Sequence, residues 1–171
     1  MLSQKTRYAL KALLQLAELP AGATLSSAAI SARRNIPVKF LEAILVELKR
    51  DGLVRGQRGR SGGYQLARRA EDISFGMVVR LMEGPLAMLP CVSATQYQRC
   101  ADCVDEWTCE LKKCFRVVRD STAAILDGWT LADARGKGGP LVSRLGLLNA
   151  KKGRRPPAKQ PARRESAAKG R

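Results

Sequence analysis

The sequence predicts a mainly α-helical chain with one small β-hairpin: a winged helix-turn-helix domain followed by a long dimerisation helix. Three observations point there. Two helical patterns flank the tight turn NIP, two short strand patterns enclose a loop of glycines and arginines, and apolar residues near the end recur in alternating steps of four and three.

Leu10, Leu13, Leu14 and Ala17 fall on one face of a helix running from about Ser3 to Glu18, which Pro20 and Gly22 end. The run LSSAAISARR predicts a short helix capped by Ser26 or Ser27, with Ala28, Ala29, Ile30 and Ala32 available for packing. From near Pro37, VKFLEAILVELKR places Phe40, Leu41, Ile44, Leu45 and Leu48 on one side, and Gly52 stands where a helix commonly stops. In LVRGQRGRSGGYQLA, four glycines and three arginines separate a short apolar pair from a second strand carrying Tyr64 and Leu66. This reads as a hairpin with a cationic tip, the wing. Asp72 or Ser74 caps a helix through Phe75, Met77, Val78, Val79 and Leu81, closed by Gly84 and Pro85.

All five cysteines follow, between Cys91 and Cys114. Then Leu111, Phe115, Val118, Thr122, Ile125 and Trp129 trace the seam of a two-helix coiled coil. We read the seam as pairing with a second copy of the chain, packing against its own domain being the alternative. The expected divisions are 1–84 for the DNA-binding domain, 85–110 for the cysteine loop, 111–134 for the dimerisation helix and 135–171 for a basic disordered tail.

The net charge of +16 is uneven. Residues 135–171 hold twelve Lys and Arg against Glu165 alone, and the preceding chain holds nineteen against fourteen acidic residues. A basic folded part points to an anionic polymer rather than to a small neutral substrate. Catalysis is not expected: there is no histidine, no Gly-rich phosphate loop with its Lys, and no evident pairing of nucleophile and base. Lys5, Arg7 and Lys11 interrupt any leader-like apolar run, so the expectation is a cytoplasmic protein with no membrane partner.

With its apolar face turned inward, the second helix of the pair offers Val38, Lys39 and Glu42 to the outside. A helix fits the major groove of duplex DNA, where Glu accepts from the cytosine amino group and Lys reaches guanine or phosphate. Arg55, Arg58 and Arg60 on the wing would lie along the backbone or in the minor groove.

Taken together, RYALKALLQLA, FLEAILVELKRDGLV, RGRSGGYQLA, the cysteine loop and ILDGWTLAD resemble the IscR, NsrR and RirA group of bacterial winged-helix transcription regulators, from Met1 to about Ala134. The resemblance implies a homodimer on operator DNA, with the long helix crossing to the other subunit. It also implies that Glu42, Arg58 and Arg60 read bases or contact grooves. Lys39 stands where the iron-sulfur cluster regulator of the group has a small polar residue, which points to a different operator.

Cys91, Cys100, Cys103 and Cys109 are separated by eight, two and five residues. Thiolates in this number suit an iron-sulfur cluster or zinc. A structural zinc site usually brings two Cys-x-x-Cys knuckles, and only Cys100 to Cys103 forms one here. The resemblance implies a two-iron or four-iron cluster on three cysteines, best matched by Cys91, Cys103 and Cys109. Where the iron-sulfur cluster regulator has a histidine three residues after the last cysteine, this chain has Lys112, whose ammonium offers no lone pair. Cys100 is the replacement fourth ligand. Cys114, between Leu111 and Val118, is expected to pack as a small hydrophobe. The functional expectation is a transcription regulator whose operator affinity follows its cluster, by redox, iron or nitric oxide. The alternatives are a zinc- or thiol-based regulator without a cluster and, more remotely, a small electron carrier.

Overall fold

A computed structural model describes residues 2–59 and 62–135. The wing-tip Arg60 and the tail beyond Arg135 lie outside the described residues. Among the described residues, no helix is long and apolar enough to cross a membrane.

Helix α1 spans Gln4–Ala17 and starts at Ser3, whose hydroxyl accepts from the Thr6 N–H. It buries Ala9, Leu10, Ala12, Leu13, Leu16 and Ala17, a wider stripe than the predicted one because alanines complete its inner face. Helix α2, Ser27–Arg34, is capped by Ser26. Of its four expected packing residues only Ile30 is fully buried, since a helix of two turns presents one narrow face. Helix α3 spans Val38–Arg50 and buries Leu41, Ile44, Leu45 and Leu48.

The turn between α2 and α3 is fixed by its own chemistry. Asn35 adopts the left-handed conformation, φ 51°, which a short polar side chain tolerates better than most. The Ile36 N–H donates to the Ser31 carbonyl, the Ser31 hydroxyl donates back to the Ile36 carbonyl at 2.6 Å, and Ile36 is buried beneath. Arg34 then ties α2 to α1 by donating to Gln15 and Glu18.

Strands β1, Val54–Gln57, and β2, Gly63–Leu66, pair antiparallel, Val54 opposite Leu66. Tyr64 also exchanges backbone hydrogen bonds with Leu25, so the wing is anchored to the segment entering α2. Gly63 permits this approach: a Cβ there would sit 2.6 Å from the Leu25 carbonyl carbon.

Helix α4, Phe75–Glu83, is capped by Ser74, while Asp72 belongs to a preceding 3-10 turn. Helix α5, Glu110–Asp127, packs against α4 and against the 3-10 turn Pro90–Val92. Its end is fastened to its own chain. Arg80 of α4 makes two hydrogen bonds to the Asp127 carboxylate, and a side chain at Gly76 would collide with that carboxylate. Beyond α5, the Phe75 N–H donates to Trp129 and the Leu131 N–H to Ile73, which delivers Leu131 into the core.

Three expectations are corrected. Phe40 is 42% exposed, because the inner stripe of α3 runs through Leu41 and leaves Phe40 at its margin, with its ring edge-on to Tyr8. Trp129 lies past the end of α5, since the chain turns at Gly128 to pair with α4. Cys114 is exposed rather than packed, because α5 buries none of its residues in the single chain. In addition, Arg135, placed at the start of a disordered tail, closes a 3-10 turn, Asp133–Arg135, that follows the Thr130–Asp133 hydrogen bonds.

Glu83 joins the two ends of the helical layer: its carboxylate accepts from the Ser3 N–H and from the Thr6 hydroxyl. The Thr6 bond is the larger cause of a carboxyl held down at about 2, below its usual range. A depressed folded-state value stabilises the fold above the ordinary carboxylate range and is lost as pH falls toward 2. Urea unfolding of wild type and Glu83→Gln should therefore show a difference at pH 6 that narrows between about pH 4.5 and 2. A difference independent of pH would contradict this assignment.

Candidate functional site

Two surfaces carry chemistry. The first is the outer face of α3 with the wing. Val38, Lys39 and Glu42 are all exposed, followed along the helix by Val46, Lys49 and Arg50. Neither Lys39 nor Glu42 has an ion pair among the described residues, so both present free charges. Glu47, by contrast, is held by Lys5 at 2.7 Å, which locks α3 onto α1. On the wing, Arg55 donates to Gln65 across the strands, and Arg58 stands exposed near the tip beside Gly59, whose φ of 118° suits glycine. A helix with an unpaired acid and base next to a cationic hairpin offers both an acceptor and a donor of the kinds that base edges take, and cations of the kind that phosphates take.

The second surface is the cysteine loop between α4 and α5. Cys91 is buried in the turn Pro90–Val92, and Cys100, Cys103 and Cys109 are partly buried. Cys91 lies within electrostatic reach of Cys100, Cys109 and Lys112. Burial, then the Cys100 contact, pushes the Cys91 thiol up, and Lys112 opposes them. Cys103 is fixed beside Cys100 by its N–H to the Cys100 carbonyl, while Arg99 donates to the Cys103 carbonyl. Cys109 is the N-cap of α5, its sulfur accepting from the Lys112 N–H at 3.4 Å.

Lys112 itself is committed elsewhere. Its ammonium meets Glu106 at 2.5 Å, and Glu106 also accepts from the Tyr97 hydroxyl. The ion pair holds the Glu106 carboxyl low and the Lys112 ammonium high, so Lys112 stays a cation beside the thiols. Asp105 braces the approach to α5 by accepting from Trp107 and Thr108.

Arg119 makes a further link that the sequence did not indicate. Its guanidinium donates to the Val92 carbonyl at 2.6 Å, twenty-seven residues away, and is steadied by Asp120. Glu106, Tyr97 and Arg119 were all missed. Each acts through a side chain reaching across the loop, and no periodicity marks such a contact.

The thiols suit a soft metal centre by their chemistry, sulfur being a soft donor. Among the described residues, however, no three His, Cys, Asp or Glu side chains are gathered so as to hold a single metal ion. A zinc ion needs its donors converged at ~2.3 Å from one point. An iron-sulfur cluster likewise needs its thiolates gathered, around a core of several atoms.

Residues 2–135 match the Rrf2 family, described as an iron-dependent transcriptional regulator. An rrf2-like putative HTH-type transcriptional regulator of Rhodobacter capsulatus is 42% identical over 150 residues, covering 85% of this chain and 99% of that protein. The HTH-type transcriptional regulator NsrR of Geobacillus kaustophilus is 33% identical, covering 77% of this chain and 87% of its own length. Among solved structures, CymR, the global cysteine regulator of B. subtilis, aligns with a TM-score of 0.64 at 28% identity, covering 78% of this chain and 95% of that one. T. potens IscR aligns with a TM-score of 0.60 at 25% identity, covering 95% and 93%. These relatives are transcriptional regulators, not enzymes, and the winged-helix reading agrees with them. The chain belongs to the Rrf2 family of transcriptional regulators.

Proposed function

We propose that this regulator binds operator DNA as a homodimer and that an iron-sulfur cluster on Cys91, Cys103 and Cys109, with Cys100 as fourth ligand, sets its affinity. The observation that carries the reading is the position of Cys109: the same sulfur that would ligate the cluster caps the first turn of α5. When bound, a cluster would supply a bridge between thiolates that iron loss, oxidation or nitric oxide removes.

The chain's own residues do the rest. Lys112, held as a cation by Glu106, offsets thiolate charge without competing as a ligand. Leu111, at 63% exposure, and Ile125, both on the predicted seam, leave apolar surface on α5 for a second copy. Pairing there would set two copies of α3 against successive major grooves, about 34 Å apart along the duplex. In each copy Lys39 and Glu42 would read bases, and Arg55, Arg58 and Arg60 would contact phosphates or the minor groove.

Anaerobic reconstitution with ferrous iron and sulfide, followed by visible spectra and iron and sulfide analysis, tests the cofactor. A brown protein that loses its colour on Cys91→Ala or Cys109→Ala is expected; a colourless protein binding stoichiometric zinc would overturn the cluster reading. For the DNA surface, the probe is the tightest duplex selected by the reconstituted full chain from a random library. Arg58→Ala should weaken binding across sequences and lower the salt slope by about one, while Glu42→Ala should cost about 1–3 kcal/mol of discrimination at one base pair. Unchanged affinity and specificity in both would remove the DNA assignment.

A further inference from the structure

The cysteine loop touches α5 at several places, two of them beside cysteines. One is Cys109 at the N-terminus of the helix. The other lies nine residues further along the chain from Glu110, where Arg119 reaches back to the Val92 carbonyl, immediately after Cys91. The contact is well built. The Arg119 side chain is 18% exposed, its bond to the carbonyl is charge-assisted, and Asp120 holds the guanidinium from the other side. A small cavity of about 120 Å³ lined by Arg80, Leu86, Thr95, Arg119 and Asp120 lies beside it, so the guanidinium has room to change partner.

We propose that Arg119 is the positioning residue that couples the cysteine turn to α5. The proposal rests on the cluster reading above and adds the route by which a change at Cys91 reaches the DNA-binding face. Cys91 lies in the short turn Pro90–Val92, so a backbone displacement at Cys91 is passed to the Val92 carbonyl one residue on. Arg119 converts that displacement into a pull on α5. From α5 the Arg80–Asp127 pair and the close approach at Gly76 carry it to α4, which packs on α1, which is bound to α3 through Lys5 and Glu47. Without Arg119, the Cys91 turn would be free to shift while α5 stayed in place.

The test compares wild type, Arg119→Gln and Arg119→Lys as full chains, reconstituted and cluster-free, on the selected duplex. Wild type should show an affinity ratio between the two states of roughly fivefold or more. Arg119→Gln should keep the wild-type visible spectrum yet bring that ratio to about one, and Arg119→Lys, which retains a cationic donor, should recover part of it. In reduced, cluster-free protein, alkylation of Cys91 by iodoacetamide, located by mass spectrometry, should quicken by about tenfold in Arg119→Gln as the turn loosens. A wild-type ratio in Arg119→Gln would overturn the proposal, and so would unchanged Cys91 alkylation. Should wild type itself take up no cluster, the cofactor reading falls, and the alkylation rates alone decide whether Arg119 holds the turn.

Discussion

The attachment of α5 to α4 underlies everything else in this structure. Two forces hold it. The Arg80–Asp127 pair is bidentate but partly exposed, and pairs of that kind contribute about 0–1 kcal/mol in general. Full burial of a leucine such as Leu131 is worth roughly 1.5–3 kcal/mol. The leucine therefore supplies the adhesion, and the ion pair, with Gly76 beneath it, sets where along α4 the helix sits. Because α4 packs on α1 and α1 is tied to α3, an element that begins at a cysteine is connected through packed helices to α3.

Charge is distributed to match that layout. Free charges stand on α3 and the wing, where Lys39, Glu42 and Arg58 have no ionic partner among the described residues. Charges around the cysteines are paired: Lys112 with Glu106, and Arg119 with the Val92 carbonyl and Asp120. An unpaired ion near the surface remains available to a nucleic acid, whereas a paired one fixes geometry.

Much of this was legible beforehand because local rules wrote it. Ser26 and Ser74, both cap candidates by type and position, cap their helices, and the apolar stripes of α1 and α3 follow a helical period. Trp129 misled because the four-three spacing continues by chance past a helix that stops at Asp127. Cys114 misled because a periodic position says which face a residue occupies, not whether anything covers that face. The Glu106–Lys112 and Arg119–Val92 contacts had no sequence signature, since each depends on how an irregular loop folds back over a helix. The thiols were legible as a donor set, while the burial of Cys91 beneath the loop required coordinates.

The central claim is that events in the cysteine loop are felt along α5. Amide hydrogen exchange of the full chain, reduced and cluster-free against anaerobically reconstituted, measures this directly. Added protection extending from the loop through α5, Glu110–Asp127, is the predicted result. Protection confined to residues 85–109, with α5 exchanging alike in both states, would contradict it.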